Sequence, residues 1–173
     1  MDWIEFRGLA ALLVATVAML WDVRTRRIPN ELTLGAAAVA LGYAFFSGGP
    51  VALGIALGGW LVGAALFFPL FALGGMGAGD VKLLAALGAW LGPVEAVWLA
   101  IFASIAGGVM AVIVSLYHGY LRQAGSNMWL MLMHWRAAGL QPIAGLTLRD
   151  ARAPRLAYAV PIAIGLVCTL WRS

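Results

Sequence analysis

The chain has 173 residues, of which 64% are hydrophobic and 10% are charged, and its mean hydropathy is +0.95. This composition excludes an ordinary soluble globular protein and indicates an integral membrane protein. The net charge of +4 is typical of basic loops that face anionic lipid, so we expect membrane lipids and no nucleic acid as partners. The single cysteine, Cys168, excludes an internal disulfide and a cysteine-cluster zinc site.

Apolar windows near the length that a bilayer-crossing helix requires recur along the chain. They predict an all-α, polytopic fold with about six transmembrane helices in a single membrane-embedded domain over residues 1–173. The fourth span is short, because Gly92-Pro93 is the only plausible turn before the fifth. The predicted spans are Trp3–Trp21, Leu32–Phe46, Pro50–Leu73, Val81–Leu91, Pro93–Tyr117 and Leu156–Trp171.

The basic residues predict how the protein is oriented. When loops are assigned alternately to the two sides of the membrane, nine of the eleven Lys and Arg residues fall on one side, against only Arg7 and Arg172 on the other. The positive-inside rule makes the richer side cytoplasmic, so both termini are predicted to be non-cytoplasmic. Asp22 and Asp80 then both lie at the cytoplasmic face. The nine basic residues are Arg24, Arg26, Arg27, Lys82, Arg122, Arg136, Arg149, Arg152 and Arg155.

Two further patterns concern packing and membrane contact. In the third span, Gly54-x-x-x-Gly58 and Gly59-x-x-x-Gly63 predict close helix packing, within the molecule rather than between copies. The predicted cytoplasmic loop 118–155 contains an apolar run, 128–135, that is too short to cross a bilayer. We expect this run to lie in the membrane interface, where tryptophan and methionine suit the headgroup boundary.

Asp22 comes at the end of the first predicted span, two residues before Arg24. An aspartate in this position is most often a juxtamembrane residue paired with an arginine. The following Ile28-Pro29-Asn30 predicts a rigid turn, because proline lacks an amide donor and restricts the residue before it. Asn30 is then expected to cap the second helix. The sequence therefore predicts that Asp22 is held in place at the membrane edge.

Asp80 begins the fourth predicted helix, after a glycine-rich segment. Gly77 and Gly79 leave the backbone bare, which permits close approach of another backbone or of a substrate chain. An isolated Gly-x-Gly-Asp is explained equally well by a flexible loop with an N-cap aspartate. Lys82, the only lysine, is best explained as a positive-inside anchor, and a role in biasing carboxylate protonation is the alternative.

If Asp22 and Asp80 meet, their chemistry follows from electrostatics. Two carboxylates in a poorly solvated place cannot both ionise at low cost, so they share a proton and titrate as a pair. One then activates a water and the other protonates the substrate, as in aspartic proteases; the sequence favours neither as the initial base. His118 and His134 lack metal-ligand spacing, and no metal and no cofactor are expected. No Gly-x-Ser-x-Gly elbow occurs, which argues against a serine nucleophile.

Taken together, the motifs resemble those of the type IV prepilin peptidases, which are membrane aspartic proteases of the Gly-x-Gly-Asp type. The match comprises Asp22 followed by Ile28-Pro29-Asn30, then Gly77-Ala78-Gly79-Asp80-Val81-Lys82-Leu83, and a weaker match over 158–165. The resemblance implies that Asp22 and Asp80 are the catalytic pair. It also implies prepilin or pilin-like substrates, cut at the cytoplasmic face of a bacterial cytoplasmic membrane. The residues it implies for shaping the site or binding substrate are Gly77, Gly79, Lys82, Pro29 and Asn30.

The chain departs from the larger, bifunctional members of that family, which carry an additional N-terminal cytoplasmic region, often with two Cys-x-x-Cys pairs. It resembles instead the short, peptidase-only form associated with Flp-type tight-adherence pili, so N-methyltransferase activity is not expected. Two other functions are compatible with acids in a membrane protein: a small ion-coupled transporter and a non-enzymatic pilus-assembly scaffold. The oligomeric state is not predicted.

Overall fold

The computed structural model describes residues 3–119, 121–138 and 156–172. This part of the chain is all-α, as predicted. Three helices are long and apolar enough to cross a membrane, at Phe6–Thr25, Asn30–Ala72 and Pro93–Tyr117, and Ala159–Arg172 is a shorter apolar helix. The helices of the described residues are α1 (Trp3–Thr25), α2 (Asn30–Ala72), α3 (Ala78–Leu91), α4 (Pro93–Tyr117), α5 (Leu121–Ala138) and α6 (Ala159–Arg172).

Helix α2 contains a break at Gly49, whose φ of 65° and ψ of −157° are not helical. Before the break, α2 runs in the same direction as α3. Asn30 accepts a hydrogen bond from Lys82 near the start of α3. Farther along, the ring of Tyr43 packs against Trp90 near the end of α3, with 5.8 Å between ring centroids.

After the break, α2 runs in the opposite direction to α3. Gly59 packs against Gly88 near the end of α3, and Gly63 packs against Leu84, one turn earlier. The chain therefore reverses between residues 43 and 59, and the two parts of α2, 30–48 and 50–72, are antiparallel. The break lies between the second and third predicted spans, where proline follows glycine and interrupts the helical hydrogen bonds.

Helix α3 is the centre of the bundle. Val81 and every residue from Leu83 to Trp90 are buried. A helix that is apolar and buried all round must be enclosed by other helices. This enclosure explains how a helix of only 14 residues suits a membrane protein, since its neighbours rather than its own length separate it from lipid.

Glycines bring α2 into backbone contact with α3. A Cβ atom at Gly59 would overlap the carbonyl of Gly88, and one at Gly63 would lie 2.5 Å from the Leu84 carbonyl oxygen. By contrast, a Cβ at Gly54 would meet nothing within 4 Å, and one at Gly58 would make only an ordinary contact at 3.8 Å. The predicted intramolecular packing is thus present at the second glycine pair.

The two ends of the bundle differ in their charges. At one end Glu95 accepts hydrogen bonds from the Arg172 guanidinium at 2.9 Å, and Arg7 lines a small cavity together with Glu95. Asp22 lies four turns from Arg7 along α1, roughly 22 Å away by helical rise. Arg7 and Arg172 therefore lie at the end opposite Asp22, as their predicted separation from the other nine basic residues requires.

The predicted loop 118–155 contains helix α5, so its first half is helical. Gly119, with φ of 69°, separates α4 from α5 in the left-handed conformation that glycine tolerates. Met128, Trp129 and Leu130 on α5 are exposed, and the predicted interfacial position of this segment stays a prediction. Residues 139–155 lie outside the described residues. Helix α6 begins at Ala159, three residues later than the predicted span.

Substitution of Gly59 tests the contact between α2 and α3. In Gly59→Ala the new methyl group overlaps the Gly88 carbonyl, and such overpacking should lower the free energy of unfolding by about 1–3 kcal/mol. Gly54→Ala is the matched control, because it has the same gain in helix propensity and open space around it. Thermal unfolding in detergent measures both variants. Equal stability of the two variants would contradict the proposed role of the contact.

Candidate active site

The turn between α1 and α2 fixes the position of Asp22 relative to α2. Helix α1 ends at Thr25, and Arg26 adopts a left-handed φ of 54° while its N–H donates to the Asp22 carbonyl at 2.8 Å. Pro29 follows with an extended backbone at φ −61° and ψ 139°. The predicted rigid turn is present, and it places Asp22 one turn before the end of α1.

The predicted capping role of Asn30 is wrong. Pro29 occupies the position before α2, and no side chain caps the helix there. Asn30 is already helical, and its Oδ1 accepts a hydrogen bond from the Lys82 ammonium at 2.8 Å. An amide side chain on the first turn is free to reach another helix, and here it links α2 to α3. Lys82 is therefore more than an anchor for the membrane surface.

Asp22 is almost completely buried, with 5% of its surface exposed. Its Oδ2 accepts a hydrogen bond from the backbone N–H of Ala159 at 3.1 Å, although the two residues are 137 positions apart. Ala159 is the first residue of α6. The free N–H groups and the dipole of a helix N-terminus stabilise a negative charge. Helix α6 thus presents its N-terminus to the carboxyl group of Asp22.

Asp80 lies in the first turn of α3. An N-cap interpretation would place it at the position before the helix, and that position is occupied by another residue. The position before the helix is Gly77, whose N–H donates to Asp80 Oδ2 at 3.3 Å. Next to Asp80, a Cβ at Gly79 would come within 3.1 Å of the Ile28 side chain. The absence of a side chain at Gly79 therefore allows the start of α3 to lie against the turn that follows α1.

The environment of Asp80 favours its protonated form. Asp80 lies in the first turn of α3, ahead of the predicted span 81–91. Burial raises the pKa of its carboxyl to about 7, with a further increase from the negative charge of Asp22, while the hydrogen bond from Gly77 acts in the opposite direction. The contribution of Asp22 means that the two carboxylates interact electrostatically. The two predicted aspartates therefore lie within electrostatic reach of each other.

Tyr158 is a third polar group at this site. It lies in the turn before α6, outside the apolar helix, and directly precedes the Ala159 amide that holds Asp22. Burial raises the pKa of its phenol, and the negative charge of Asp80 raises it further. Tyr158 therefore lies within electrostatic reach of Asp80 and is covalently adjacent to the donor for Asp22.

Most of the predicted site residues lie together. Gly77 donates a hydrogen bond to Asp80, and Gly79 lies against Ile28 in the turn after α1. Lys82 bonds to Asn30, and Pro29 shapes the turn before α2. Sequence reasoning did not assign roles to Tyr158 and Ala159, although the weak match over 158–165 included both. Within the described residues, no group of three or more His, Cys, Asp or Glu side chains could hold a metal ion.

Comparisons with known proteins show which family the chain resembles in sequence. The model of the type IV leader peptidase family matches residues 9–112. A type 4 prepilin-like proteins leader peptide-processing enzyme of Escherichia coli is 36% identical over 112 residues, covering 61% of this chain and 41% of that protein. A prepilin leader peptidase/N-methyltransferase of Neisseria gonorrhoeae is 37% identical over 121 residues, covering 65% of this chain and 41% of that protein. No solved structure matches.

The extent of these matches determines what they establish. The chain spans about two fifths of the length of each of these curated relatives. The family match, however, covers more than half of the chain and includes both aspartates. Together with the carboxylate pair at one end of an apolar helical bundle, it establishes that this chain belongs to the type IV leader peptidase family.

Proposed function

We propose that this protein is an aspartic endopeptidase that removes the leader from prepilin-like substrates. The observation that carries the proposal is the electrostatic interaction of Asp22 with Asp80 in a member of the leader peptidase family. The names of both relatives refer to leader processing, which supports the substrate class. The N-methyltransferase activity in the name of the Neisseria relative is not part of the proposal for this chain.

The surroundings of the two carboxylates suggest different roles. Asp22 accepts the Ala159 N–H at the start of α6, which orients its carboxyl group, and it acts as the general base. Asp80, with a pKa of about 7, carries a proton over much of the neutral range and acts as the general acid. The proposal thus assigns a base and an acid, which the sequence did not distinguish.

Hydrolysis then proceeds in two balanced steps. Asp22 takes a proton from water while the water oxygen bonds to the peptide carbonyl carbon, and Asp80 gives its proton to the carbonyl oxygen. The resulting tetrahedral diol collapses as the C–N bond breaks. The bonding pair stays on nitrogen, which takes the proton from Asp22, and one diol hydroxyl returns a proton to Asp80. Both carboxyl groups regain their starting states.

The proposed site is at the cytoplasmic face of a bacterial cytoplasmic membrane. Arg24, Arg26 and Arg27 flank Asp22, whereas Arg7 and Arg172 lie at the opposite end of the bundle, which supports this orientation by the positive-inside rule. The antiparallel parts of α2 support two crossings in that helix and six in the whole chain. A substrate anchored by its own apolar helix would reach the site by lateral diffusion.

The first prediction about function concerns the two carboxyl groups. Asp22→Asn and Asp80→Asn should each lower the rate of leader removal by about 10⁴-fold or more, because an amide can neither accept nor supply the required proton. The measurement is a gel-shift assay with a co-purified prepilin and equal amounts of membrane-inserted enzyme. Glu31→Gln is the matched control, since it removes an exposed acid from α2 without touching the site. Full processing by either aspartate variant would refute the proposal.

The second prediction concerns pH. Because Asp80 must be protonated to act as the acid, kcat/KM should fall about tenfold per pH unit above a pKa of about 7. In Asp22→Asn the carboxyl of Asp80 should titrate at lower pH than in the wild-type protein, because one cause of the increase is gone. Infrared titration of the protonated carboxyl band measures this shift directly. An unchanged Asp80 titration would contradict the electrostatic interaction.

The third prediction separates the structural role of Lys82 from a role in proton transfer. Lys82→Met removes the hydrogen bond to Asn30 and should lower activity by about 5- to 10-fold, as expected for a lost contact to a charged donor. Asn30→Ala should have a similar effect, and the double variant should be no worse than either single one. The pH profile should keep its shape in all three. A shifted profile in Lys82→Met would show that Lys82 acts on the protonation of the aspartates.

A further inference from the structure

Tyr158 is positioned both by its backbone, next to the donor to Asp22, and by the packing of its ring. It lies in the turn before α6, and the next residue donates its N–H to Asp22. Because consecutive residues are joined by a planar peptide of fixed length, the Cα of Tyr158 stays within a few ångströms of the donor to Asp22. Movement of Tyr158 and movement of Asp22 are therefore linked.

The ring of Tyr158 is fixed from the other side by α4. A Cβ at Gly107 would lie 2.9 Å from the phenol oxygen and 3.2 Å from two ring carbons. The neighbouring Gly108 has open space around its Cα. Only the first of these two consecutive glycines is needed for the ring, which occupies the surface that a side chain at position 107 would cover.

The charge of Asp80 also acts electrostatically on the Tyr158 phenol. That charge and burial both raise the pKa of the phenol, so Tyr158 stays protonated over the pH range in which the peptidase would work. A protonated phenol is a hydrogen-bond donor. Tyr158 thus carries a hydrogen-bond donor within electrostatic reach of Asp80. In the proposed reaction, negative charge develops on the carbonyl oxygen of the substrate.

We propose that Tyr158 is a further catalytic residue, whose hydroxyl donates a hydrogen bond to the scissile carbonyl oxygen of the leader as the tetrahedral intermediate forms. This inference rests on the proposed peptidase function and adds a third group to its carboxylate pair. Asp80 transfers its proton to this oxygen, and Tyr158 stabilises the partial charge that precedes the transfer. The tyrosine itself neither gains nor loses a proton, so the balance of the two hydrolytic steps is unchanged.

The test begins with Tyr158→Phe, which removes the hydroxyl and keeps the ring. Loss of one donor to a developing oxyanion should lower kcat on the order of 100-fold and leave KM within about twofold, because the bond forms mainly in the transition state. The pH at which kcat/KM declines should move little, since Asp80 is still the acid. Tyr117→Phe is the matched control: it removes a phenol that is 87% exposed at the end of α4, and should retain full activity.

A second pair of variants tests the geometry. Gly107→Ala places a methyl group against the phenol and should lower kcat at least 10-fold, whereas Gly108→Ala should leave it unchanged. In the Tyr158→Phe background, Gly107→Ala should cost clearly less than in the wild-type protein, because the hydroxyl that it displaces is already absent. Additive losses would mean that Gly107 acts on packing alone and would overturn the link to the hydroxyl.

The outcomes separate this inference from the function on which it rests. Suppose that the wild-type protein cleaves the substrate and Asp80→Asn does not. A fully active Tyr158→Phe variant would then overturn the role of Tyr158 and leave the peptidase proposal intact. A Tyr158→Phe variant that raises KM with unchanged kcat would also overturn it, since the hydroxyl would then bind substrate and transition state equally. Absence of cleavage by the wild-type protein would overturn both.

Discussion

The backbone contact between α2 and α3 is the interaction on which the rest of the structure depends. Gly59 and Gly88 present no side chains to each other, so the two helices meet at van der Waals distance. Helix α3 is short and enclosed, and its position is set by its neighbours rather than by the membrane. A displacement at this contact would move the opposite end of α3, where Gly79 lies against Ile28 and Asp80 interacts electrostatically with Asp22.

The site combines two carboxyl groups whose surroundings differ. Asp22 accepts the N–H of the first residue of α6, whereas Asp80 is desolvated and its pKa is raised by burial and by the charge of Asp22. The same residue type therefore has two different surroundings at one end of the bundle. This difference originates in the arrangement of helix ends: α1 contributes its last turn, while α3 and α6 contribute their first turns.

Local sequence patterns predicted the parts of the site that depend on nearby residues. Gly77, Gly79 and Asp80 form a continuous motif, and proline in the α1–α2 turn has a direct effect on its neighbours, so these features were accessible. The role of Asn30 was wrong because an N-cap preference was assumed to outweigh a contact with another helix, at Lys82. Ala159 offers no side-chain chemistry at all, and only the fold shows that its amide meets Asp22. The glycine pattern predicted close packing but could not indicate which of its members would contact α3.

The hydrogen bond from Ala159 to Asp22 has a consequence for the order in which the protein is made. Its partners lie 137 residues apart, near the beginning and near the end of the described chain. While the ribosome is synthesising α5, Asp22 and Asp80 have both been made, but the Ala159 amide that binds Asp22 has not. Insertion of the final helix is thus the event that completes the site. A nascent chain arrested before α6 would contain both acids but not the amide that binds Asp22.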